Sequence, residues 1–152
     1  MWQRHLQRSD AYPTGLAGTD AHLYLSIDGQ TILLSALNGA QLWQRSLDSG
    51  VAIAVTEANG IVYIPGNSAL NALDERTGKV LWSLSADPDG NFTAPVLCQN
   101  VLFTSAQAIA PHGFFGTGAS GQDAVVAINP SNGSVYWSTA NATCLLGIFN
   151  LS

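Results

Sequence analysis

Short runs of apolar residues, four or five positions long, recur along the chain and are separated by Gly, Asn, Asp and Pro. The middle of the chain holds a series of them, alternating or rich in β-branched residues, at 51–55, 61–64, 69–73 and 79–83. Runs of this length and composition are typical of β-strands. Asn59-Gly60 and Thr77-Gly78 lie between them and supply turn residues that tolerate a positive φ. The pattern predicts antiparallel strands joined by hairpins.

The same pattern precedes and follows this series. Earlier strands are predicted at 22–26 and 31–35, and later ones at 93–97, at 100–105 and from Asp123 onward. The segment 106–122 is interrupted by several Gly and is predicted to be a surface loop. No segment offers a capped helix of ten or more residues, which excludes a helical solenoid.

The strand pattern is periodic, and each period ends in an Ala…Gly-x-x-x-Trp segment. The second and third copies keep ten positions between Ala and Trp, whereas the first is interpreted as a hairpin three residues shorter. The residues around Trp2 echo those around Trp43, so the chain is predicted to begin in the tail of an earlier repeat. The residues predicted to dock one repeat on the next are Ala36, Gly39, Trp43, Ala72, Gly78, Trp82, Ala127, Gly133 and Trp137.

The chemistry of these residue types suits a contact between sheets. A Trp at the end of a repeat can bury about 200 Å² against the neighbouring sheet. Its indole N–H then needs an acceptor, and a backbone carbonyl of the neighbouring repeat would serve. The Gly allows a positive φ or a close backbone approach, and the small Ala leaves room for the ring. The segment is therefore predicted to be structural.

These residues resemble the tryptophan-docking motif of the quinoprotein, or PQQ-like, β-propeller repeat. The resemblance covers almost the whole chain and implies an all-β fold, a partial β-propeller of about three four-stranded antiparallel blades plus flanking strands. It implies one unit over 1–152, with repeats at about 7–47, 48–86 and 87–140 and partial blades at 1–6 and 141–152. Closed rings need about four to eight blades. The chain is therefore expected to be cut from a longer propeller, with end faces that further blades or a second copy would cover.

Composition narrows the choice of partners. The chain is 47% hydrophobic and 10% charged, with a net charge of −5, as in soluble globular proteins. Its five Lys and Arg are scattered and cannot form a phosphate-binding stripe, so nucleic acid and an anionic membrane surface are not expected as partners. No window reaches the roughly 18 apolar residues of a membrane helix, and the N-terminus lacks the apolar region of a signal peptide. The sequence does not indicate a cellular compartment, although the resemblance to PQQ-like repeats would place the parent protein outside the cytoplasm.

The resemblance implies two classes of function. In quinoprotein dehydrogenases the propeller holds pyrroloquinoline quinone (PQQ) and Ca²⁺ on its axis, with adjacent cysteines stacked over the quinone. Other members are non-catalytic and present loops to a protein or peptide. Cys98 and Cys144 lie 46 positions apart and are predicted to be small buried residues, with a disulfide left open. We therefore predict a non-catalytic interaction scaffold without a cofactor; the alternative is the remnant of a PQQ-dependent oxidoreductase that uses PQQ and calcium.

The loop at 106–122 holds the candidates for ligand binding, which are His112, Phe114 and Phe115. Aromatic residues on loops of a rigid scaffold can anchor partners, although packing of both rings back on the blade is the alternative. His112 has no second ligand at metal-binding spacing and is predicted to be an exposed loop residue. The segment 87–91 is predicted to be an ordinary turn rather than a Ca²⁺ site, since it lacks a later bidentate Glu.

Overall fold

The computed structural model describes residues 1–3, 13–27, 29–47, 54–66, 69–85, 91–106 and 124–139. These residues form three four-stranded antiparallel sheets, each built from strands that follow one another in the chain. We refer to the sheets as the first, second and third blade. No helix long and apolar enough to cross a membrane occurs in the described ranges.

The strands of each blade form a meander with short connections. The first blade contains β1 (Pro13–Gly18), β2 (His22–Ile27), β3 (Gln30–Ser35) and β4 (Gln41–Ser46). The second contains β5 (Thr56–Ala58), β6 (Ile61–Pro65), β7 (Ala69–Asp74) and β8 (Val80–Ser85). The third contains β9 (Val96–Cys98), β10 (Val101–Ala106), β11 (Ala124–Ile128) and β12 (Val135–Ser138).

The structure confirms the predicted all-β class and the three four-stranded blades. The strand prediction at 93–97 is confirmed only at its end, because the first strand of the third blade is β9, of three residues. Of the predicted strand at 51–55, residues 51–53 lie outside the described residues, and Ala54 and Val55 precede the three-residue β5. Val55 packs against the core between blades but precedes the ladder, which pairs β5 with β6. A run of apolar residues indicates that a segment is buried, whereas the position of the following turn determines which of its residues pair in the sheet.

Two hairpins turn through residues in the left-handed region. Asn59 (φ 53°) and Gly60 (φ 75°) connect β5 to β6, while Gln99 (φ 47°) and Asn100 (φ 62°) connect β9 to β10. A positive φ at both central residues matches the right-handed twist of the paired strands. The Asn59-Gly60 turn is thus confirmed, whereas Gln99 gives no such signal in the sequence.

Two of the three clusters of buried apolar residues lie between blades, whereas the third lies on β2 and β3 of the first blade and contains Leu25, Ile27, Ile32 and Leu34. Between the first and second blades the buried residues are Tyr24, Leu33, Trp43, Leu47, Val62, Ile64 and Leu73. Between the second and third they are Tyr63, Leu70, Ala72, Trp82, Phe92, Leu102, Ala106, Ala124, Val126 and Ile128. The second and third blades approach each other along their first strands, where β5 contacts β9 and the Thr56 hydroxyl donates a hydrogen bond to the Pro95 carbonyl. Each blade therefore depends on its neighbour for burial of its apolar surface.

The third blade has a further face, directed away from the second blade. Phe103 and Trp137 lie on either side of Ala127 in the ladder, with ring centroids 6.0 Å apart. Val96 pairs with Phe103, and Val125 is two residues before Ala127, so both share this face. Val96 is 61% exposed and Val125 is 43% exposed. We refer to Val96, Phe103, Val125, Ala127 and Trp137 as the terminal face.

Candidate functional site: the contacts between blades

Trp43, in the last strand of the first blade, docks on the hairpin between β7 and β8 of the second blade. Its indole Nε1 donates a 2.7 Å hydrogen bond to the carbonyl oxygen of Glu75. The ring lies on Gly78, where a Cβ atom would be only 2.6 Å from the indole Cδ2, and Gly78 has a φ of 66°. Glycine alone satisfies both the left-handed backbone and this close approach.

Two further tryptophans make the same contact. Trp82 donates a 2.9 Å hydrogen bond to the Pro130 carbonyl and lies on Gly133. Trp2 makes the equivalent contact with the first blade, with a 2.9 Å hydrogen bond to the carbonyl of Ala36 and its ring on Gly39. Each Trp therefore contacts the Gly of the next repeat rather than the Gly four positions before it.

The hairpin of the first blade has the same length as the others, so the prediction of a shortened first copy is wrong. β3 ends at Ser35 and β4 begins at Gln41, the interval that also separates β7 from β8. The Ser35 amide donates to the Ala40 carbonyl at 2.8 Å, just as the Asp74 amide donates to the Lys79 carbonyl at 2.8 Å.

The docking role predicted for Ala36 also needs correction. Leu33, and not Ala36, lies opposite Trp43 in the ladder, as Ala72 lies opposite the Trp of the second blade. Ala36 instead corresponds to Glu75, because each carbonyl accepts the indole hydrogen bond of the preceding Trp. Matching by residue type produced the error, since a small residue opposite the Trp is not required in every blade.

Trp43, Trp82 and Trp137 each also pack on an aromatic ring of their own blade, which the sequence did not predict. The pairs are Tyr24 with Trp43 at 6.1 Å between ring centroids, Tyr63 with Trp82 at 5.9 Å and Phe103 with Trp137 at 6.0 Å. Tyr63 additionally donates a 3.3 Å hydrogen bond to the Pro130 carbonyl, which Trp82 also contacts. The recurrence of an aromatic residue in the second strand of every repeat is the signal that could have identified them.

Arg45 adds polar contacts between the first and second blades. Its Nε donates a 3.0 Å hydrogen bond to the Gly78 carbonyl, and a guanidinium nitrogen donates a 2.8 Å bond to the Thr77 carbonyl. Arg45 follows Trp43 by two positions, so the indole and the guanidinium contact the same hairpin. The planar guanidinium places its donors in a fixed arrangement, which suits two adjacent carbonyls.

A polar cluster lies between the first and second blades beside this hairpin. His22 begins β2, Glu57 lies in β5 and Glu75 follows β7. The Nδ1 atom of His22 is 3.0 Å from Oε1 of Glu57 and 3.3 Å from Oε1 of Glu75. The Tyr24 hydroxyl donates a hydrogen bond to the same Glu57 oxygen. We refer to His22, Glu57 and Glu75 as the His–Glu–Glu cluster.

The cluster is half-buried and borders a cavity. The side chains of its three members are between 17% and 28% exposed. A cavity of about 420 Å³ opens beside it, lined by His22, Leu42, Gly60, Asp74, Glu75 and Arg76. In the part of the chain that the structure describes, neither Glu forms an ion pair with a Lys or Arg. The cluster therefore concentrates negative charge next to a space that solvent and small ions can enter.

Burial raises the pKa of the Tyr24 phenol strongly. Its hydrogen bond to Glu57 raises that pKa further, and so does the negative charge of Glu57 and Glu75. A deprotonated phenolate beside two carboxylates would be unfavourable. Tyr24 therefore stays a neutral hydrogen-bond donor to the Glu57 carboxylate.

The sequence analysis did not find the His–Glu–Glu cluster. Its members come from different repeats, and His22 and Glu57 are 35 positions apart in the chain. The available signal was weak: His22 and Tyr24 alternate with leucines in the predicted strand at 22–26. Only the packing of the second blade on the first places two glutamates against that histidine.

The sequence-based loop candidates His112, Phe114 and Phe115 lie outside the described residues. Cys98 is exposed at the end of β9, so the prediction that it is buried is wrong. Cys98 is two residues after Val96 and shares the exposed face of β9. Cys144 lies outside the described residues, as does most of the predicted turn at 87–91.

The tryptophan contacts agree with a family-level match. The family model described as "Outer membrane protein assembly factor BamB" matches residues 1–143. The chain belongs to this family of PQQ-type propeller repeats. No curated protein sequence matches this BamB-family chain.

Solved structures similar to the BamB-family chain are propellers. A europium-containing methanol dehydrogenase superposes with a TM-score of 0.60 and 18% identity, covering 90% of this chain and 29% of the dehydrogenase. BamB from Moraxella catarrhalis gives a TM-score of 0.53 and 17% identity, covering 90% of this chain and 54% of BamB. The computationally designed Ika4 protein gives 0.60 and 17%, covering 90% and 79%. The chain thus has a propeller fold and spans under a third of the dehydrogenase.

The residues present do not match the PQQ site that the quinoprotein resemblance implies. The chain contains no adjacent pair of cysteines, and its two cysteines are Cys98 and Cys144. Cys98 is exposed at the end of a three-residue strand, which is no place for a stacking contact with a buried quinone.

Proposed function

We propose that this BamB-family chain is a non-catalytic propeller module that binds a protein partner by docking a further blade on its terminal face. The observation that carries the proposal is the aromatic–Trp pair, which recurs on all three blades. In the first two blades a following hairpin covers this pair, and Trp43 and Trp82 are only 6% and 9% exposed. In the third blade the same pair lies beside the exposed Val96 and Val125.

The expected occupant is a further PQQ-type blade, because the terminal face repeats the side chains that such blades cover. The indole N–H of Trp137 would donate to a backbone carbonyl at the start of the hairpin that follows the third strand of that blade, as those of Trp43 and Trp82 do. The ring would lie on a hairpin glycine with a positive φ. The partner would be a polypeptide that carries such a repeat with an uncovered hairpin glycine. In a second copy of this chain that glycine would be Gly39, once Trp2 is displaced from it.

The family description supports a protein partner. It names an outer membrane protein assembly factor, which is a role in protein assembly. The net charge of −5 disfavours nucleic acid as a partner, and no bilayer insertion is expected. Under this proposal no cofactor is required, since the contacts are those of blade packing.

Association in solution tests the proposal. We expect size-exclusion chromatography with light scattering to show concentration-dependent association of the wild-type chain, together with binding of a hydrophobic dye. Val125→Asp should weaken both, because a carboxylate buried without a partner is costly. Leu81→Asp is the matched control, since Leu81 is 47% exposed, close to the 43% of Val125, and lies in β8 of the second blade away from the terminal face.

A well-folded wild-type monomer at all concentrations, without dye binding, would contradict the proposed docking. The PQQ-dependent alternative is tested by titrating the chain with PQQ and Ca²⁺. A change in quinone absorbance at micromolar PQQ would favour the oxidoreductase remnant over the scaffold. The two measurements are independent, so one proposal can fail without the other.

A further inference from the structure

We propose that the His–Glu–Glu cluster binds a divalent transition-metal ion, with Zn²⁺ as the best fit, and that this ion links the first and second blades. The site does not depend on the proposed docking of a further blade, because it lies at the opposite interface. One ligand comes from the first blade and two come from the second. An ion bound there would add a direct link between two sheets that otherwise meet through apolar packing and the hydrogen bonds of Trp43 and Arg45.

The ring nitrogen of His22 faces more carboxylate oxygens than it can donate hydrogen bonds to. Nδ1 of His22 faces a carboxylate oxygen of Glu57 at 3.0 Å and another of Glu75 at 3.3 Å. A ring nitrogen carries at most one hydrogen, so it cannot donate a full hydrogen bond to both. An ion bound by the nitrogen and both oxygens would satisfy all three atoms and offset the repulsion between the carboxylates.

The separations between the ligand atoms of the cluster also suit a metal ion. Ligand atoms around a tetrahedral Zn²⁺ ion with bonds of about 2.0–2.2 Å lie about 3.3–3.5 Å apart. Two of the three separations in the cluster are 3.0 and 3.3 Å, and all three ligand atoms lie within 4.8 Å of one another. Rotations of the two flexible glutamate side chains would therefore admit the ion. The adjoining cavity leaves room for water at the remaining coordination position.

The interface between the second and third blades has no ionisable residue at the positions equivalent to those of the cluster. The ladder register identifies, between the second and third blades, the positions equivalent to those of the cluster. These positions hold Ile61, Leu97 and Pro130. Blade packing in this fold therefore does not require an ionisable residue at any of them. The three ligating side chains are specific to the first interface, which is expected of a binding site and not of a packing requirement.

The ligand chemistry selects the type of metal. One imidazole and two carboxylates suit Zn²⁺ and related transition metals, whereas Ca²⁺ and Mg²⁺ prefer a set of oxygen ligands only. Tyr24 donates a hydrogen bond to the ligating oxygen of Glu57 and would orient that carboxylate. We therefore expect Zn²⁺ and Co²⁺ to bind, and a large excess of Mg²⁺ not to compete.

Isothermal titration calorimetry of the full chain with Zn²⁺ tests the site. We expect one ion per chain, and Glu57→Gln and His22→Gln should each weaken binding at least about tenfold. Saturating Zn²⁺ should raise the melting temperature by about 5 °C or more, because the ion binds only the folded state. Co²⁺ should give the visible absorption of a tetrahedral complex. Asp20→Asn and His5→Gln remove a carboxylate and an imidazole elsewhere in the sequence and should leave Zn²⁺ affinity unchanged.

The folded state of each variant is checked by circular dichroism without metal, and Glu75→Gln provides a third ligand variant if His22→Gln does not fold. Absence of Zn²⁺ binding to the folded wild-type chain would overturn the proposal. Equal binding by wild type and both Glu variants would also overturn it. The cluster would then be a hydrogen-bonded contact between blades.

Discussion

At the scale of single residues, the hairpin glycines show how one position can serve two purposes. Gly78 has a φ of 66°, which an L-residue adopts at a cost, and its Cα lies directly under Trp43. Gly60 has a similar φ of 75°, but a Cβ there would meet nothing within 4 Å. A side chain at Gly60 would therefore meet only the cost of the left-handed backbone, whereas a side chain at Gly78 would also clash with Trp43.

We predict that Gly60→Ala lowers the free energy of unfolding by about 1–2 kcal/mol, the cost of a left-handed alanine. Gly78→Ala should cost at least about 1–3 kcal/mol more, because the added methyl displaces the docked indole. Urea unfolding followed by circular dichroism measures both values. Equal losses in the two variants would show that the Trp43 contact adds no steric requirement at Gly78.

At the scale of the element, the hairpin between the third and fourth strands is the repeating unit of the docking surface. In the second blade the Thr77 amide donates to Oδ1 of Asp74 at 2.8 Å, and the Thr77 hydroxyl donates to the same oxygen at 2.5 Å. In the third blade Asn129 has the equivalent role, accepting a 2.9 Å bond from the Ser131 amide. These bonds hold the hairpin in the shape on which the Trp docks.

The hydrogen bonds from Thr77 lower the pKa of the Asp74 carboxyl below its usual value of 3.8. A depressed folded-state pKa stabilises the protein above the unfolded pKa, and this stabilisation is lost as the pH falls through the folded pKa. We predict that Asp74→Asn removes part of the decline in stability between about pH 5 and about pH 2.5. Urea midpoints across this range measure the effect.

Asn129→Asp is the matched variant for this prediction. It should introduce the corresponding decline in the third hairpin, because a carboxylate would then accept the bond from Ser131. Identical pH profiles for wild type and Asp74→Asn would mean that Asp74 has the same pKa in the folded and unfolded chains.

At the scale of the whole molecule, stability arises from contacts between neighbouring blades. The two larger clusters of buried residues lie between blades, and each contains one docked Trp and its aromatic partner. In such a stack the free energy of unfolding is approximately a sum over blades and interfaces. Disruption of one interface should therefore lower the free energy of unfolding by an amount that depends on the two blades it joins and not on distant blades.

We predict that Trp43→Ala and Trp82→Ala each lower the free energy of unfolding by about 3–5 kcal/mol, as expected for a large buried side chain. Trp137→Ala should cost clearly less in a dilute monomer, because the terminal face is already partly exposed. Chemical unfolding at low protein concentration measures all three. A loss for Trp137→Ala as large as that for Trp43→Ala would show that the terminal face is covered within the chain.

The parts of the fold that were predictable from the sequence are those that depend on residues close together in the chain. The all-β class and the blades were predictable because strand period, turn residues and the Gly-x-x-x-Trp segments are local in sequence. The ends of β5 and β9 were not, since turn geometry and ladder pairing decide them. The position of Ala36 was misassigned because residue type was used where only hydrogen-bond register could establish equivalence.

The sequence by itself therefore determined the repeating unit of this chain: four short strands, a hairpin glycine and a tryptophan. The tertiary structure alone decided that each Trp docks forward on the following repeat, since its acceptor is a backbone carbonyl that no residue type announces. It alone also brought His22, Glu57 and Glu75 together. Contacts between residues more than 30 positions apart depend on how sheets pack, and local patterns do not encode that distance.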